Sequence, residues 1–406
     1  MELDLHHCFG LHGPIRDNIL VYQSNDTNNQ NVEHLMFPVG NQVVDFLNND
    51  KTMKFFRLEN ISSFSKISLM CLSQDAKYLG ICSESYSDST TVGDGTQIRI
   101  YSVSSHRKVK TLFHRNIITA MCFSDDSKQL IMSSEESLLI WSWEKEKIEY
   151  TSPIEGGKIT RIRFPPSQTT SILTFSTSGP SHLRLWIGSP RQRIHNSLIM
   201  QSQSKEQKYN FVDHTWLMND KKNYQLLVVI LNPYPTKATF EERSTVMIYK
   251  LCNDENTQKP VMFLEQTFDV GIPSGGNVLS IASFKKSLGF YLGGSDGYLG
   301  IFEKKEDRKG DCIFQETETQ YIEKKDDIII MKPGTDDDKL YLFSDKLNIY
   351  VHSMSSMDTY GFELSGNFFD ILNGGKHYGG IIDCDICDTG RPLFVTCSDD
   401  CSIRMW

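Results

Sequence analysis

Short runs in which apolar and polar residues alternate recur along the whole chain, separated by turns rich in Gly, Pro, Asn, Asp and Ser. The clearest unit is ITAMCFSDDSKQLIMSSE from Ile118, which reads as two strands joined by a Ser-Asp-Asp-Ser turn, followed by a third strand in SLLIWSW from Ser137. ISLMCLSQDAKYLGICSE from Ile67 and QIRIYSV from Gln97 repeat that plan across a long polar turn from Ser85 to Thr96. Further units are ITRIRFPPSQTTSILTFSTSG from Ile159 with HLRLW ending at Trp186, and a stretch from Phe211 through QLLVVIL at Gln225 to TVMIYKL at Thr245. VLSIASFKKSLGFYLGGSDGYLGIF from Val278 to Phe302 and DIIIMKPGTDDDKLYLFSDKLNIYV from Asp327 follow, with NFFDIL from Asn367 expected as the last unit's outer strand. The first unit is the least regular. It predicts a strand over Phe9 to Tyr22, a loop at Asn25 to Gln30, a hairpin in LMFPVGNQVVDFL turning at Pro38 to Asn41, and an outer strand from Met53 to Leu58.

The last stretch, TCSDDCSIRMW from Thr396 to Trp406, states the unit most compactly. A carboxylate in a tight hairpin turn, Asp400, precedes by six positions the aromatic that closes the next strand, Trp406, and Asp296 precedes Phe302 by the same interval. This is the signature of a WD-repeat propeller blade. His377 and Ser398 are the other members expected in the hydrogen-bonded network of the terminal blade. The closing aromatics Tyr101, Trp141, Trp186, Tyr249, Phe302, Tyr350 and Trp406 are spaced by 40, 45, 63, 53, 48 and 56 residues. A minimal repeat has about 40 to 45, so the wider gaps hold insertions. Ser189 to Lys208 and NPYPTKATFEERS from Asn232 are read as such polar loops. The expected fold is all-β: a seven-bladed WD40 β-propeller over residues 1–375, followed at 376–406 by the first, partial blade of a second propeller.

Composition adds limits. The formal net charge of -9 over 406 residues argues against a nucleic-acid binder, which needs clustered Lys and Arg. The longest purely apolar run, Leu226 to Leu231, is far too short to span a bilayer, and MELDLHHCFG lacks the apolar core of a secretory signal. Ten cysteines scattered along expected strands fit reduced, buried thiols, so neither a nucleic-acid nor a membrane partner is expected and an intracellular setting is.

Candidate chemistry is sparse. Cys384 and Cys387 followed by Cys397 and Cys401 form a four-thiolate zinc pattern on paper, but Cys401 follows the turn carboxylate and the reading taken is of small residues on adjacent strands, with no metal. His214 beside Trp216 is expected to be hydrogen-bonded next to a core ring. Arg191, Arg193, Lys221 and Lys222 mark candidate partner-binding loops, facing an acidic surface such as a tubulin tail if they are more than solvated charges. The run EKKEDRKGD from Glu303 balances its signs as an exposed loop does, and Asp296 and Asp400 each belong to their own turn and are not an acid–base pair. No phosphate loop, nucleophile elbow or HExxH helix occurs, so no enzyme, catalytic residue or cofactor is expected, although propellers host hydrolases too.

Some motifs are more particular than the repeat. Phe37-Pro38 with Gly40-Asn41, the run Trp141 with Trp143-Glu144-Lys145 and Lys147, and His214-Thr215-Trp216 occur in that order among more generic blade residues. With them the chain resembles the N-terminal part of the axonemal WD-repeat family of cilia- and flagella-associated protein fifty-seven. No correspondence is found between Ile187 and Asn210 or from Glu303 to Glu323. The resemblance implies tandem propellers ahead of a long coiled coil and a structural role in motile cilia. It also implies a place on the doublet microtubule, where such a chain docks or regulates inner dynein arms near the nexin-dynein regulatory complex. The partners implied are components of those assemblies, other axonemal proteins and tubulin. The other reading of the fold is a cytosolic adaptor that assembles a different complex.

Overall fold

The computed structural model describes residues 19–25, 31–39, 42–47, 52–56, 66–85, 95–154, 157–165, 173–188, 196–199, 209–217, 225–233, 243–253, 260–285, 287–306, 312–322, 324–335, 338–346, 348–357, 359–361, 381–387, 393–398 and 403–405. Among them are seven four-stranded antiparallel sheets, each with its strands paired in chain order, and one three-stranded sheet. Blade 1 comprises Leu20–Asn25, Asn31–Val39, Gln42–Leu47 and Thr52–Phe56; blade 2, Lys66–Leu72, Tyr78–Ser85, Gly95–Ser102 and Lys108–His114. Blade 3 comprises Ile118–Phe123, Gln129–Ser134, Ser137–Ser142 and Lys147–Pro153; blade 4, Arg161–Arg163, Leu173–Gly179, His182–Gly188 and Asn196–Ile199. Blade 5 runs through Tyr209–Leu217, Gln225–Pro233, Ser244–Asn253 and Pro260–Val270, and blade 6 through Val278–Ser283, Gly289–Gly294, Tyr298–Glu306 and Cys312–Tyr321. Blade 7 is Ile328–Pro333, Lys339–Ser344, Ile349–Ser353 and Thr359–Gly361. The eighth sheet is Ile381–Cys387, Leu393–Ser398 and Ile403–Met405.

First strands of neighbouring blades touch one another, so they form the inner ring, and the fourth strands lie outermost. Burial follows. The second strand of blade 5, QLLVVILNP, is covered on both faces and is apolar nearly throughout, whereas the outer strand of blade 2, KVKTLFH, alternates between half-buried and exposed. In blades 2, 3, 5 and 6 the pairing of third and fourth strands slips by one residue immediately before the closing aromatic, at Ile100/Tyr101, Ile140/Trp141, Ile248/Tyr249 and Ile301/Phe302. A bulge there bends the strand pair and re-aims the ring.

Seven separate apolar clusters lie one at each seam between adjacent blades. The ring closes where Ile19, Leu35, Phe37, Val44 and Phe46 of the first blade meet Ile330, Tyr341, Phe343, Ile349 and Val351 of the seventh. Full burial of one such aliphatic or aromatic side chain contributes about 1.5–3 kcal/mol. Each seam is thus a substantial interface in its own right. The ring is closed by the seam between blades 1 and 7, so seven blades suffice for closure.

Two expected details change. Asn196–Ile199, inside the stretch read as a polar loop, pairs with Arg184 to Ile187 as the outer strand of blade 4. The outer strand of blade 7 is Thr359–Gly361, which pairs with Tyr350 to His352; the expected segment from Asn367 lies outside the described residues. In both cases the strand is short, and what selects it is the unpaired edge of the third strand, not its own pattern.

Candidate interaction surface

The hairpin turns at one end of the ring are built by a local rule. In blade 3, Ser124 Oγ donates to Asp126 Oδ1 (2.6 Å), the Lys128 amide donates to the same oxygen (3.1 Å), and the Gln129 amide donates to Ser124 Oγ (3.0 Å). Blade 2 repeats this with Ser73, Asp75, Lys77 and Tyr78 at 2.7, 3.3 and 2.9 Å. The fourth residue of each turn takes a positive φ, 60° at Ser127 and 54° at Ala76. The two turns are joined, since Ser127 Oγ donates to Asp75 Oδ1 (3.2 Å). Burial tends to raise the Asp75 pKa, but hydrogen bonds from Ser73, Lys77 and Ser127 outweigh it and hold the carboxyl low.

Deeper polar networks tie strands within and between blades. In blade 4, Trp186 Nε1 donates to Thr177 Oγ1 (2.8 Å), which also bonds His182 Nε2 (2.8 Å). In blade 7, Asp326 stands just before the first strand. It accepts from Tyr350 Oη (2.7 Å), Asn348 Nδ2 (2.6 Å) and Lys346 Nζ (2.9 Å). A carboxylate facing a phenol thus fixes the closing aromatic by one hydrogen bond.

The seam between blades 4 and 5 is polar at its centre. His214, fully buried, bonds Ser176 Oγ through Nε2 and Ser178 Oγ through Nδ1, each at 2.7 Å, and Trp216 Nε1 donates to Ser176 Oγ (2.8 Å). Beside it Asp213 lies 3.3 Å from Arg161 Nε and 3.7 Å from Arg163 Nη2. The expectation that His214 is hydrogen-bonded and Trp216 is core holds.

Blade 1 carries the densest cluster. Ser24 Oγ lies 2.7 Å from His34 Nε2, and His34 Nδ1 lies 2.9 Å from Asp45 Oδ1. A carboxylate only accepts, so in the neutral ring Nδ1 carries the proton and Nε2 accepts from Ser24. Tyr22 Oη donates to Asp45 Oδ2 (2.9 Å), and His106 of blade 2 approaches the same oxygen to 3.4 Å. Hydrolases use the order hydroxyl, imidazole, carboxylate. Here the carboxylate is shared with Tyr22 and with a histidine from across the seam, which makes it a tie between blades. Burial pushes the Asp45 pKa up, yet hydrogen bonds from His106, His34 and Tyr22 prevail and keep it below the usual carboxylate range.

The closing seam has its own clasp. Glu33 accepts from the Thr335 amide (2.6 Å), from Thr335 Oγ1 (2.7 Å) and from Tyr341 Oη, all in blade 7. A further inter-blade link starts at Asn232, at the mouth of an expected loop. Its Nδ2 donates to Val278 O (2.9 Å), and its Oδ1 accepts from Ser244 Oγ (2.7 Å).

Of the residues singled out in the sequence, Asp296 lies in the turn between the second and third strands of blade 6, with a positive φ of 55°. It uses its backbone amide, which donates to Asp327 Oδ1 of the next blade's approach loop (3.0 Å). Phe302 is buried, stacked on Phe290 at 5.2 Å and on Phe268 at 5.3 Å. Ser398 closes the second strand of the eighth sheet. His377, Asp400, Trp406, Arg191, Arg193, Lys221 and Lys222 lie outside the described residues. Cys384 pairs with Thr396 and Cys397 with Asp383 on neighbouring strands, while Cys401 is outside the described residues. Among the described residues no three His, Cys, Asp or Glu side chains gather as a metal site, and no helix is long and apolar enough to cross a membrane. The Thr177, Asp326, Asp45 and Glu33 networks were not anticipated. Each is assembled by pairing across strands or blades, and only the polar identity of a strand residue hints at it.

Comparison with known proteins agrees with this geometry. The WD domain, G-beta repeat, matches at residues 106–142 and 372–406. Cilia- and flagella-associated protein 57 of Mus musculus is 22% identical over 439 residues, an alignment covering 98% of this chain and 32% of that protein. The chain therefore spans about a third of the length of that relative. Among solved structures, a chain of the mitotic checkpoint complex superposes with a TM-score of 0.57 at 12% identity, over 84% of this chain and 89% of that one. The Cps50 (Swd1) β-propeller domain of Myceliophteria thermophila gives 0.51 at 10% identity, over 84% and 96%. These structures share the fold. The chain is a seven-bladed WD-repeat propeller, similar along almost its entire length to a cilia- and flagella-associated protein.

Proposed function

We propose that this chain is a docking platform of the ciliary or flagellar axoneme, supporting the attachment or regulation of inner dynein arms on doublet microtubules. The observation that carries the reading is the alignment with cilia- and flagella-associated protein 57, which runs over 98% of the chain and not over its repeats alone. The architecture suits the role, because seven seams and their polar ties make a rigid ring whose turns and outer strands are left to meet other proteins. Residues 376–406 begin a second propeller on this reading, and the exposed Ile381 and Ile382 on its first strand are surfaces that a neighbouring blade would cover. Its partners are axonemal proteins, among them components of the inner dynein arms and of the nexin-dynein regulatory complex, with tubulin as the underlying lattice. It acts without catalysis.

The test is to tag the protein in a ciliated cell and to compare tomograms of isolated axonemes with those of a deletion strain. The expected result is tag density at the base of inner dynein arms, lost with those arms on deletion. A tag confined to the cell body with an unchanged axoneme would overturn the proposal.

A further inference from the structure

The outer strand of blade 2, Lys108–His114, stands apart in charge. Residues 95–124 contain no Asp or Glu, yet carry Arg99, Arg107, Lys108, Lys110 and Arg115, in a chain whose net charge is -9. Arg99 is buried, bonded to Ser83 and Gln97, but Arg107, Lys108, Lys110 and Arg115 make the outer strand of blade 2 and its flanks a basic rim on an acidic protein. Two acids that reach it are already engaged, Glu146 with Lys110 Nζ (2.5 Å) and Glu136 with Asn116 Nδ2 (3.2 Å).

The same strand is unusual in its apolar exposure. Val109, Phe113 and Ile117 are 41%, 54% and 45% exposed, and with Ile148 on the next outer strand they make four of the nine large apolar side chains exposed among the described residues. Their spacing is orderly. Leu112 packs toward the seam with blade 3 and Lys110 reaches Glu146 of that blade, so the even positions face blade 3. Val109, Thr111 and Phe113 then share the opposite face. The Phe113 ring lies against Gly95, where a Cβ would stand 2.5 Å from it, so the aromatic is seated on backbone.

The strand's inner edge pairs with Thr96 to Tyr101, and among the described residues nothing pairs with its outer edge. Lysines on an edge strand discourage pairing with another copy or with any neutral strand. They favour one class of visitor, an acidic one.

We propose that this edge binds an extended acidic segment of a partner protein, added as a fifth strand to blade 2. Its apolar side chains at alternate positions rest on Val109 and Phe113, and its carboxylates, on the other face, lie beside Lys108 and Lys110. Main-chain pairing supplies affinity, and the alternate apolar and charged contacts supply selection. The inference rests on the blade alone and is independent of the ciliary reading.

The probe is a fluorescein-labelled peptide, EVEFEVE, titrated with the whole purified chain and followed by anisotropy. Saturable binding is expected, weakening at least tenfold between low and physiological salt. The lysine counterpart KVKFKVK should bind at least tenfold more weakly, and EVEFEVE should bind K108E and F113A more weakly than wild type. Both positions are exposed, so these variants keep the wild-type denaturation midpoint, which serves as the folding control. A peptide N-methylated at alternate amides should lose binding, because it cannot form the ladder. No saturation of the acidic peptide up to millimolar concentration, equal binding of the lysine peptide, full binding by K108E, or full binding by the N-methylated peptide would each overturn the proposal.

Discussion

Removing the Glu33 carboxylate tests whether the ring is held shut by the clasp between blades 1 and 7. The carboxylate is nearly buried and receives three donors from the other side of the seam: the Thr335 amide, the Thr335 hydroxyl and the Tyr341 hydroxyl. A hydrogen bond to a charged group contributes about 1.5–3 kcal/mol, and stranded donors lose part of that again unless water reaches them. With partial rescue by water, Glu33→Ala should destabilise by about 3–5 kcal/mol and Glu33→Gln, which keeps shape and one acceptor, by about 2–3 kcal/mol. Tyr341→Phe alone should lose about 1–2 kcal/mol, and combining it with Glu33→Ala should add little, because both remove the same bond. Urea denaturation followed by tryptophan fluorescence measures all four variants. The pH dependence gives an independent sign. Burial raises the Glu33 pKa, but the hydrogen bonds from Thr335 and Tyr341, helped by Lys339, outweigh it and the folded pKa is lowered. The contribution is therefore complete above the unfolded value of about 4.3 and fades as pH falls through the folded one, so wild type and Glu33→Gln should converge in acid. A Glu33→Ala variant within about 0.5 kcal/mol of wild type, or strict additivity with Tyr341→Phe, would refute the clasp.

Asp45→Asn should destabilise by about 2–4 kcal/mol at neutral pH and less in acid, since the depressed Asp45 pKa means that its stabilisation is lost as pH falls; a difference constant from pH 7 to 3 would contradict the network. His214→Ala leaves Ser176 and Ser178 facing a cavity and should lose about 3 kcal/mol in the same denaturation assay, more than Ser178→Ala. Burial pushes the Cys82 thiol up to about 12 and raises that of Cys71 well above its ordinary value, so both should resist a thiol reagent at pH 7.5 until denaturant is added, while exposed Cys384 reacts in the native state. Modification of Cys82 in the native chain, mapped by peptide mass, would count against the burial described.

Six of the seven closing aromatics lie in or at the third strands expected of them, and Trp406 directly follows the last strand of the eighth sheet. That much was legible because strand alternation and the aromatic are written within one unit. The Ser-Asp turns at Ser73 and Ser124 were legible for the same reason, as every partner lies within five residues. The outer strands Asn196–Ile199 and Thr359–Gly361 were not, since a strand this short acquires its identity from the edge it completes. The networks at His214 and Asp326 were only half visible. Ser176 and His214 are 38 positions apart and come together through the register of two blades, and Asp326 fills by different chemistry a place where a histidine is the expected sign.

The clasp at Glu33 joins residues 302 positions apart, and this sets a timetable for synthesis. At about 5–20 residues per second, blade 1 leaves the ribosome roughly 15 to 60 seconds before its partner in blade 7 exists. During that interval Leu35, Phe37, Val44 and Phe46 have no seventh blade to cover them. Each later blade can dock on the one before it as soon as it emerges, so the waiting surface is always the first one. A cell making this protein must shield that single apolar face for up to a minute per molecule, and variants that weaken blade 1 should be lost there to aggregation before any mature ring is tested.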